Sequence, residues 1–384
     1  MVRPLDGVRV LDFTRVVSGP FAGRMLSDLG ADVVKIEPPE GDVTRNWGDK
    51  RNGVAGYYQQ QNAGKRNICV DLRAPGAVPM ILDLVAKADI VLENFRAGVM
   101  DRLGLGWDVL QGVNTRLVMC SISGFGQTGP EAGRAAYAPV IEAETGVVHR
   151  QSRFDSAAPT DPMVSIADFN AGLHAIVAML AALRLVDRTG MGTAIDISMF
   201  ETMLATDDYL HHAIDGSELI RLGGEYWSLA DGGHILIAGN LRAVWRSLTD
   251  AHGLIDPSES GCDLDTKVAN RRAAVARWVH EFPDRATLTV SLNAASLAHG
   301  YLTSPEEAIA SPTAIARGVI AQVDDRGGGL RGVVQSPYRF SNAESGVRRG
   351  AAHRGEQNAE VLGDWLGSSP HEIATLVADG VLLS

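Results

Sequence analysis

The stretch from Pro162 to Gly190 constrains the fold more than any other part of this chain. From Ile176 to Val186 it is almost wholly apolar and rich in alanine and leucine, which predicts a core helix buried on most sides rather than an amphipathic surface helix. Gly190 follows the basic last turn of Arg184 and Arg188, the usual place for a C-terminal glycine. Asp168 and Asn170 stand at the other end, where free backbone N–H groups favour an anion. Two readings of Asp168 are open. It caps the helix, as acidic residues at helix starts commonly do, or it is a carboxylate nucleophile, ionised and partly desolvated beside a reactive carbonyl.

With 384 residues the chain is long enough for two domains, or for one large domain with an insertion. The net charge of −11 argues against a nucleic-acid or anionic-membrane surface, so any anion site must be local. Cys69, Cys120 and Cys262 are odd in number and far apart. They fit reduced thiols in a cytoplasmic protein better than a disulfide or zinc framework. The start lacks the apolar run of a signal peptide, and no stretch is expected to reach the roughly eighteen apolar residues of a membrane span.

Read in order, Val8 to Phe13 is a strand, Ser18-Gly-Pro20 opens a helix through Leu29, and Val33 to Ile36 is a second strand. Strands at 67–72, 89–93, 116–122 and 193–198 alternate with helices, which implies a mainly parallel sheet covered on both faces. Glu37 ends the second strand about where an acidic residue would hold a dinucleotide ribose. The loop Thr14 to Gly23 lacks the Gly-x-Gly pair that lets backbone approach a pyrophosphate, which argues against nicotinamide chemistry. A long helix is expected from Phe200 to Ile214. Its His211 and His212, adjacent in sequence, point to different sides and make no metal pair. No metal site is expected elsewhere. From Tyr226 the pattern changes to a hairpin about Asp231-Gly-Gly233 with helices near 243–251 and 270–281, and the helices from Asn358 and Ser369 return to the first domain.

Taken together, Leu5-Asp-Gly-Val-Arg-Val-Leu-Asp-Phe13, Gly19-Pro20, Leu29-Gly-Ala-Asp-Val-Val-Lys-Ile-Glu37, Gly41-Asp-Val-Thr-Arg45, Gly64-Lys-Arg66, Asp89-Ile-Val-Leu-Glu-Asn-Phe-Arg96, Ser123-Gly-Phe-Gly-Gln-Thr-Gly-Pro130, Asp168, Arg188-Thr-Gly190 and Asp231-Gly resemble, end to end, the family III CoA-transferases. That group includes formyl-CoA and carnitine-CoA transferases and the 2-methylacyl-CoA racemases. The resemblance implies an α/β fold: a large Rossmann-like domain from both chain ends (1–200 and 325–384), a linker (201–224), a small inserted α+β domain (225–324), and an interlocked homodimer. It implies that Asp168 attacks an acyl-CoA thioester to give a mixed anhydride, then an aspartyl-CoA thioester that an acceptor carboxylic acid opens. Coenzyme A and acyl-CoA are then substrates, with no permanently bound cofactor, and neither nucleic acid nor membrane is a partner.

By the same resemblance Val16, Val17, Lys65, Arg66, Asn94, Phe95, Arg96 and Arg102 lie in or near CoA-contacting stretches. CoA needs cations for its phosphates and an apolar slot for adenine. Val17 replaces a glutamine of the formyl-CoA branch, which argues against formyl or oxalyl transfer. The glycine-rich loop of that branch is reduced to Leu222-Gly-Gly-Glu225, and Pro38 and Pro39 follow Glu37 where a basic residue is often found. The racemase branch carries a His-Asp pair where this chain has Tyr137 and Ala138, and tyrosine is a poor base at neutral pH. Tyr137 is therefore expected to donate a hydrogen bond to the anhydride or to pack against the acyl chain. A racemase-type isomerase and an inactive acyl-CoA-binding protein are the alternatives to a transferase.

Overall fold

A computed structural model describes residues 2–219 and 223–383. The chain divides into two compact units, Met1–Asp208 with Ile315–Ser384, and Tyr209–Ala314. Relative to the expected boundaries, the first unit gains residues 201–208 and 315–324. The helix Met199–Ala205 buries Met199 and Met203 in the core beneath the long helix, and the strand Ile320–Asp324 pairs with Leu330–Val334.

The first unit is built on a seven-stranded sheet in the order Leu382–Leu383, Arg66–Val70, Asp32–Glu37, Arg9–Asp12, Ile90–Glu93, Val118–Ser123, Thr193–Ser198. All neighbours are parallel except Leu382–Leu383, which runs antiparallel to Arg66–Val70. The central strands are buried along nearly their whole length, Asp32 at the start of one excepted, because helices cover both faces. From Arg9–Asp12 the chain builds outward first through Asp32–Glu37 and then, on the other side, through Ile90–Glu93. This reversal opens a crevice at the carboxyl ends of Arg9–Asp12 and Ile90–Glu93, the place where open α/β sheets take their ligands.

One long helix, Ile166–Thr189, lies over the sheet and ends at Gly190 with φ 72°, whose N–H donates to the Val186 carbonyl at 2.8 Å. Its inward stripe is small: Ala167, Ala171, Gly172, Ala175, Met179, Ala182. A Cβ on Gly172 would come 2.7 Å from the Phe21 ring and 2.8 Å from the Ser18 carbonyl, so glycine is what allows the close approach to the helix Ser18–Asp28. The opposite stripe corrects the expectation of burial on most sides. Leu173, Val177 and Leu180 are exposed, Val177 to 67%. With mean hydropathy 1.7 in its most apolar window, this helix is long and apolar enough to cross a membrane by length and composition alone, contrary to the sequence expectation.

The helix expected from 200 to 214 is broken. Met199–Ala205 and Leu210–Asp215 are separate, because the Thr206 hydroxyl turns back to the Thr202 carbonyl at 2.8 Å and Thr-Asp-Asp is a weak helix-forming run. The rings of His211 and His212 do not diverge as expected but lie 4.1 Å apart, centroid to centroid.

In the second unit Gly224–Ser228 and His234–Ala238 form the expected antiparallel hairpin, joined on its other edge by His299–Tyr301. The helices Leu241–His252 and Leu264–His280 pack Val244, Trp245, Leu248, Val275 and Val279 into its core. Leu222 of the shortened glycine loop lies outside the described residues.

Candidate active site

The crevice at the sheet reversal is assembled by two loops and a helix start. Asn94 ties the loops together. Its Oδ1 accepts the Arg15 N–H at 2.9 Å, and its Nδ2 donates to the Arg15 carbonyl at 2.8 Å and to Ser18 Oγ at 3.2 Å. Between them Val16 holds φ 71°, a left-handed conformation that a β-branched residue adopts only under constraint. Its N–H is held by Asp42, at 3.3 Å to Oδ2. Asp42 is itself buried, 3.2 Å from Lys35 Nζ, and it accepts the Thr44 N–H and hydroxyl. Burial alone would raise its carboxyl, but Lys35 and the Thr44 donors outweigh this and hold it below the usual range.

A second ion pair lies under the same loop. Lys65 Nζ donates to Asp12 Oδ2 at 2.7 Å, the Pro20 carbonyl at 2.9 Å and Asn62 Oδ1 at 2.9 Å. Burial pushes this ammonium down to about 8, against the opposing pull of Asp12. A Cβ on Gly23 would lie 2.6 Å from Asp12 Oδ2, so glycine is required for the pair to form.

Above these loops is a cavity of about 530 Å³ with Asp168 in its wall. Asp168 does not cap its helix. The N-cap position is Ser165, which makes no side-chain cap bond, and the Ala167 N–H is instead taken by Glu142 Oε1 at 3.1 Å. The Asp168 carboxyl faces Ser18 and is 8% exposed. Burial pushes it up to about 6, Ser18 opposes this through its hydroxyl and N–H, and the Glu142 carboxylate adds to the rise. Around it stand Arg15, Arg96, Arg102, Arg134 and Tyr137. Arg134 is held by Glu144 and Glu131, and the Arg15 guanidinium lies 5.3 Å from the Phe95 ring centroid. A second, mainly apolar cavity of about 220 Å³, with Ile36, Pro38, Pro39, Val70 and Leu72 in its lining, shares Arg15 and Phe95 with the first.

Of the residues expected from the sequence, Val16, Asn94, Phe95, Arg96, Arg102, Tyr137 and Asp168 come together in one cavity. Val17, Lys65 and Arg66 do not. Val17 is buried in the start of its helix. The donors of Lys65 are filled as described, and those of Arg66 go to Asp32, Glu360 and Asp364. Both cations serve the fold, which corrects their expected contact with phosphate. Sequence reasoning missed Ser18, Glu142, Arg15 and Arg134. Glu142 had a signal, a lone acid in the apolar turn Val140-Ile-Glu-Ala143. The other three lie in loops or at helix ends, where periodicity is silent.

A parallel α/β sheet with a partly desolvated carboxylate at its reversal point and several guanidinium groups around it is the arrangement of an enzyme that handles anionic, activated acyl groups. The chain belongs to CoA-transferase family III, whose family model matches residues 5–358, and it is an acyl-CoA:carboxylate CoA-transferase. It is 33% identical to a succinate–glutarate CoA-transferase of Agrobacterium fabrum, over 94% of this chain and 95% of that protein. It is 31% identical to a succinyl-CoA–D-citramalate CoA-transferase of Chloroflexus aurantiacus, over 99% and 98%. The crystal structure of a CAIB/BAIF family protein from Brucella suis superposes with a TM-score of 0.81 at 31% identity, covering 95% of this chain and all of that one.

Proposed function

We propose that this enzyme moves CoA from a short dicarboxylic acyl-CoA, succinyl-CoA first among candidates, to a free dicarboxylic acid, with Asp168 as the nucleophile. The supporting observation is Asp168 itself, a carboxylate released from capping duty and turned into a cavity with four arginines. The dicarboxylate class is supported by the substrates in the relatives' names. The Asp168 oxygen attacks the thioester carbonyl, the C–O bond of a mixed anhydride forms, and the C–S bond breaks to release CoA thiolate. The thiolate attacks the aspartyl carbonyl and expels the donor acid, leaving an aspartyl-CoA thioester. The acceptor carboxylate repeats the two steps in reverse and regenerates Asp168, so no net proton, oxidant or ATP is consumed. Arg96 and Arg102 bind the CoA phosphates, and the adjoining apolar cavity takes the adenine.

The test is a mass-spectrometric screen of short-chain and dicarboxylic CoA esters against free acids. Exchange is expected with succinyl-CoA and a four- to six-carbon diacid. Failure of every diacid pair, with transfer to monocarboxylates only, overturns the substrate class. Failure of all pairs overturns the function.

The functional form in this reading is a cytoplasmic homodimer, interlocked as in the family. The exposed stripe Leu173, Val177 and Leu180 supports this, because an apolar stripe of this kind is ordinarily covered, and the free thiols of Cys69, Cys120 and Cys262 suit a reducing compartment. Sedimentation at nanomolar concentration is expected to give a dimer. A folded, active monomer there overturns the assignment, and Val177→Asp is expected to produce insoluble or unfolded chain.

A further inference from the structure

Glu142 is a buried carboxyl, 1% exposed, for which the transfer steps above find no use. It comes from the helix Ala138–Glu144, which starts immediately after Tyr137. Its Oε1 accepts the N–H of Ala167, the residue before the nucleophile, at 3.1 Å. This bond does two things. It meets a donor at the start of the long helix that the N-cap residue, Ser165, leaves without a side-chain partner, and it places a second negative charge behind Asp168. Ser18 also faces Asp168 and, through its hydroxyl and N–H, favours the ionised carboxyl, while Asn94 Nδ2 donates to the Ser18 oxygen.

We propose that Glu142 is a positioning residue that drives the enzyme toward its acylated forms: held against the Ala167 N–H, it repels the free Asp168 carboxylate and does not repel the neutral aspartyl anhydride or thioester. The proposal rests on Asp168 being the nucleophile. Its physical basis is that a proton and an acyl group compete for the same oxygen, and each removes the same charge. A neighbouring anion that favours one favours the other. Ser18 acts in the opposite sense, since its donors stabilise the ionised form. The other groups around Asp168 are Tyr57 from the helix Gly56–Asn62, whose own hydroxyl is pushed up by burial and then by Asp168, and the cavity residues Arg15, Arg96, Arg102, Arg134 and Tyr137. Glu142 is set apart from the four guanidinium groups by its negative sign and its burial.

The experiment compares Glu142→Gln and Ser18→Ala with the parent enzyme. The amide keeps an acceptor for the Ala167 N–H and removes the charge. Two readouts are taken: the acid limb of the kcat/KM profile against pH, and the fraction of enzyme carrying aspartyl-CoA at fixed succinyl-CoA and succinate, measured by intact mass after an acid quench. Glu142→Gln is expected to move the acid limb about one pH unit lower and to reduce the ratio of covalent to free enzyme about tenfold. Ser18→Ala is expected to move both the other way. A purely structural Glu142 would lower activity at every pH and leave the limb in place, so an unmoved limb with an unchanged covalent ratio in Glu142→Gln overturns the proposal. Should that variant not fold, Glu142→Ala takes its place, and an unmoved limb with an unchanged covalent ratio there overturns the proposal. If the parent enzyme forms no adduct with any CoA ester, it is the nucleophile assignment that fails instead.

Discussion

Asp168→Asn is expected to abolish CoA transfer and, above pH 6, to raise the melting temperature of the protein. In the proposed mechanism the loss follows from removing the attacking carboxylate. Asp168 is the one carboxylate in the cavity lining among the described residues, and no neighbour there can form the anhydride in its place. The gain in stability follows from titration. In the unfolded chain the carboxyl titrates near its ordinary value of 3.8, and in the fold at about 6. Between these values the folded protein holds more protons than the unfolded one. The group's stabilising contribution is therefore fully present below pH 4 and is lost as the pH rises through 6. At pH 8 the ionised side chain destabilises the fold by about 3 kcal/mol, the equivalent of roughly two pKa units. A neutral asparagine removes that cost at pH 8 and changes little at pH 4. Melting curves at the two pH values, alongside turnover and hydroxylamine trapping, decide the matter. Turnover by the variant above a few per cent of the parent would overturn the nucleophile, and an equal or lower melting temperature at pH 8 would overturn the electrostatic argument.

Lys65→Met is expected to destabilise the fold by about 3–5 kcal/mol, because removing one member of a buried pair leaves the other as an uncompensated charge. Asp12 is fully buried and would retain only its bonds from the Thr14 N–H and hydroxyl. The double variant Asp12→Asn with Lys65→Met should recover much of the loss, since it leaves no charge behind. Urea unfolding of the three proteins gives the comparison. A Lys65→Met protein within 1 kcal/mol of the parent would show that the pair carries little. This result also separates two roles for a residue in the Gly64-Lys-Arg66 motif. A phosphate contact would weaken acyl-CoA binding without touching stability, whereas a buried strut does the reverse.

The order of strands and helices was legible because the strands of the parallel sheet are mainly short apolar runs, as at Ile90 to Leu92, bounded by glycine, asparagine or charge. The break near Thr206 was not. The apolar period continues across it, while the Thr206 hydroxyl returning to the Thr202 carbonyl and the weak helix-forming run Thr-Asp-Asp mark the break. Asp168, Asn94, Phe95, Arg96 and Arg102, singled out through the motifs that carry them, line one cavity. Lys65 and Arg66 were misread because a motif records that a cation is needed, not whether it faces a ligand or another side chain. Ser18 and Glu142 act through bonds to residues 76 and 25 positions away, and local pattern holds no trace of such a partner.

The antiparallel strand Leu382–Leu383, which completes the sheet against Cys69 and Val70, has a consequence in time. The chain emerges from the ribosome at roughly 5–20 residues per second, so the strand Arg66–Val70 waits some tens of seconds for its edge partner. The intervening residues 209–314 form a compact unit of their own, made during that wait. Until residue 383 is free, the backbone of Cys69 and Val70 is an open edge able to pair with another nascent chain. Crowding of ribosomes on one message, rather than the finished protein's stability, is thus expected to set how much of this enzyme aggregates during rapid expression, and less frequent initiation at an unchanged elongation rate should raise the soluble yield.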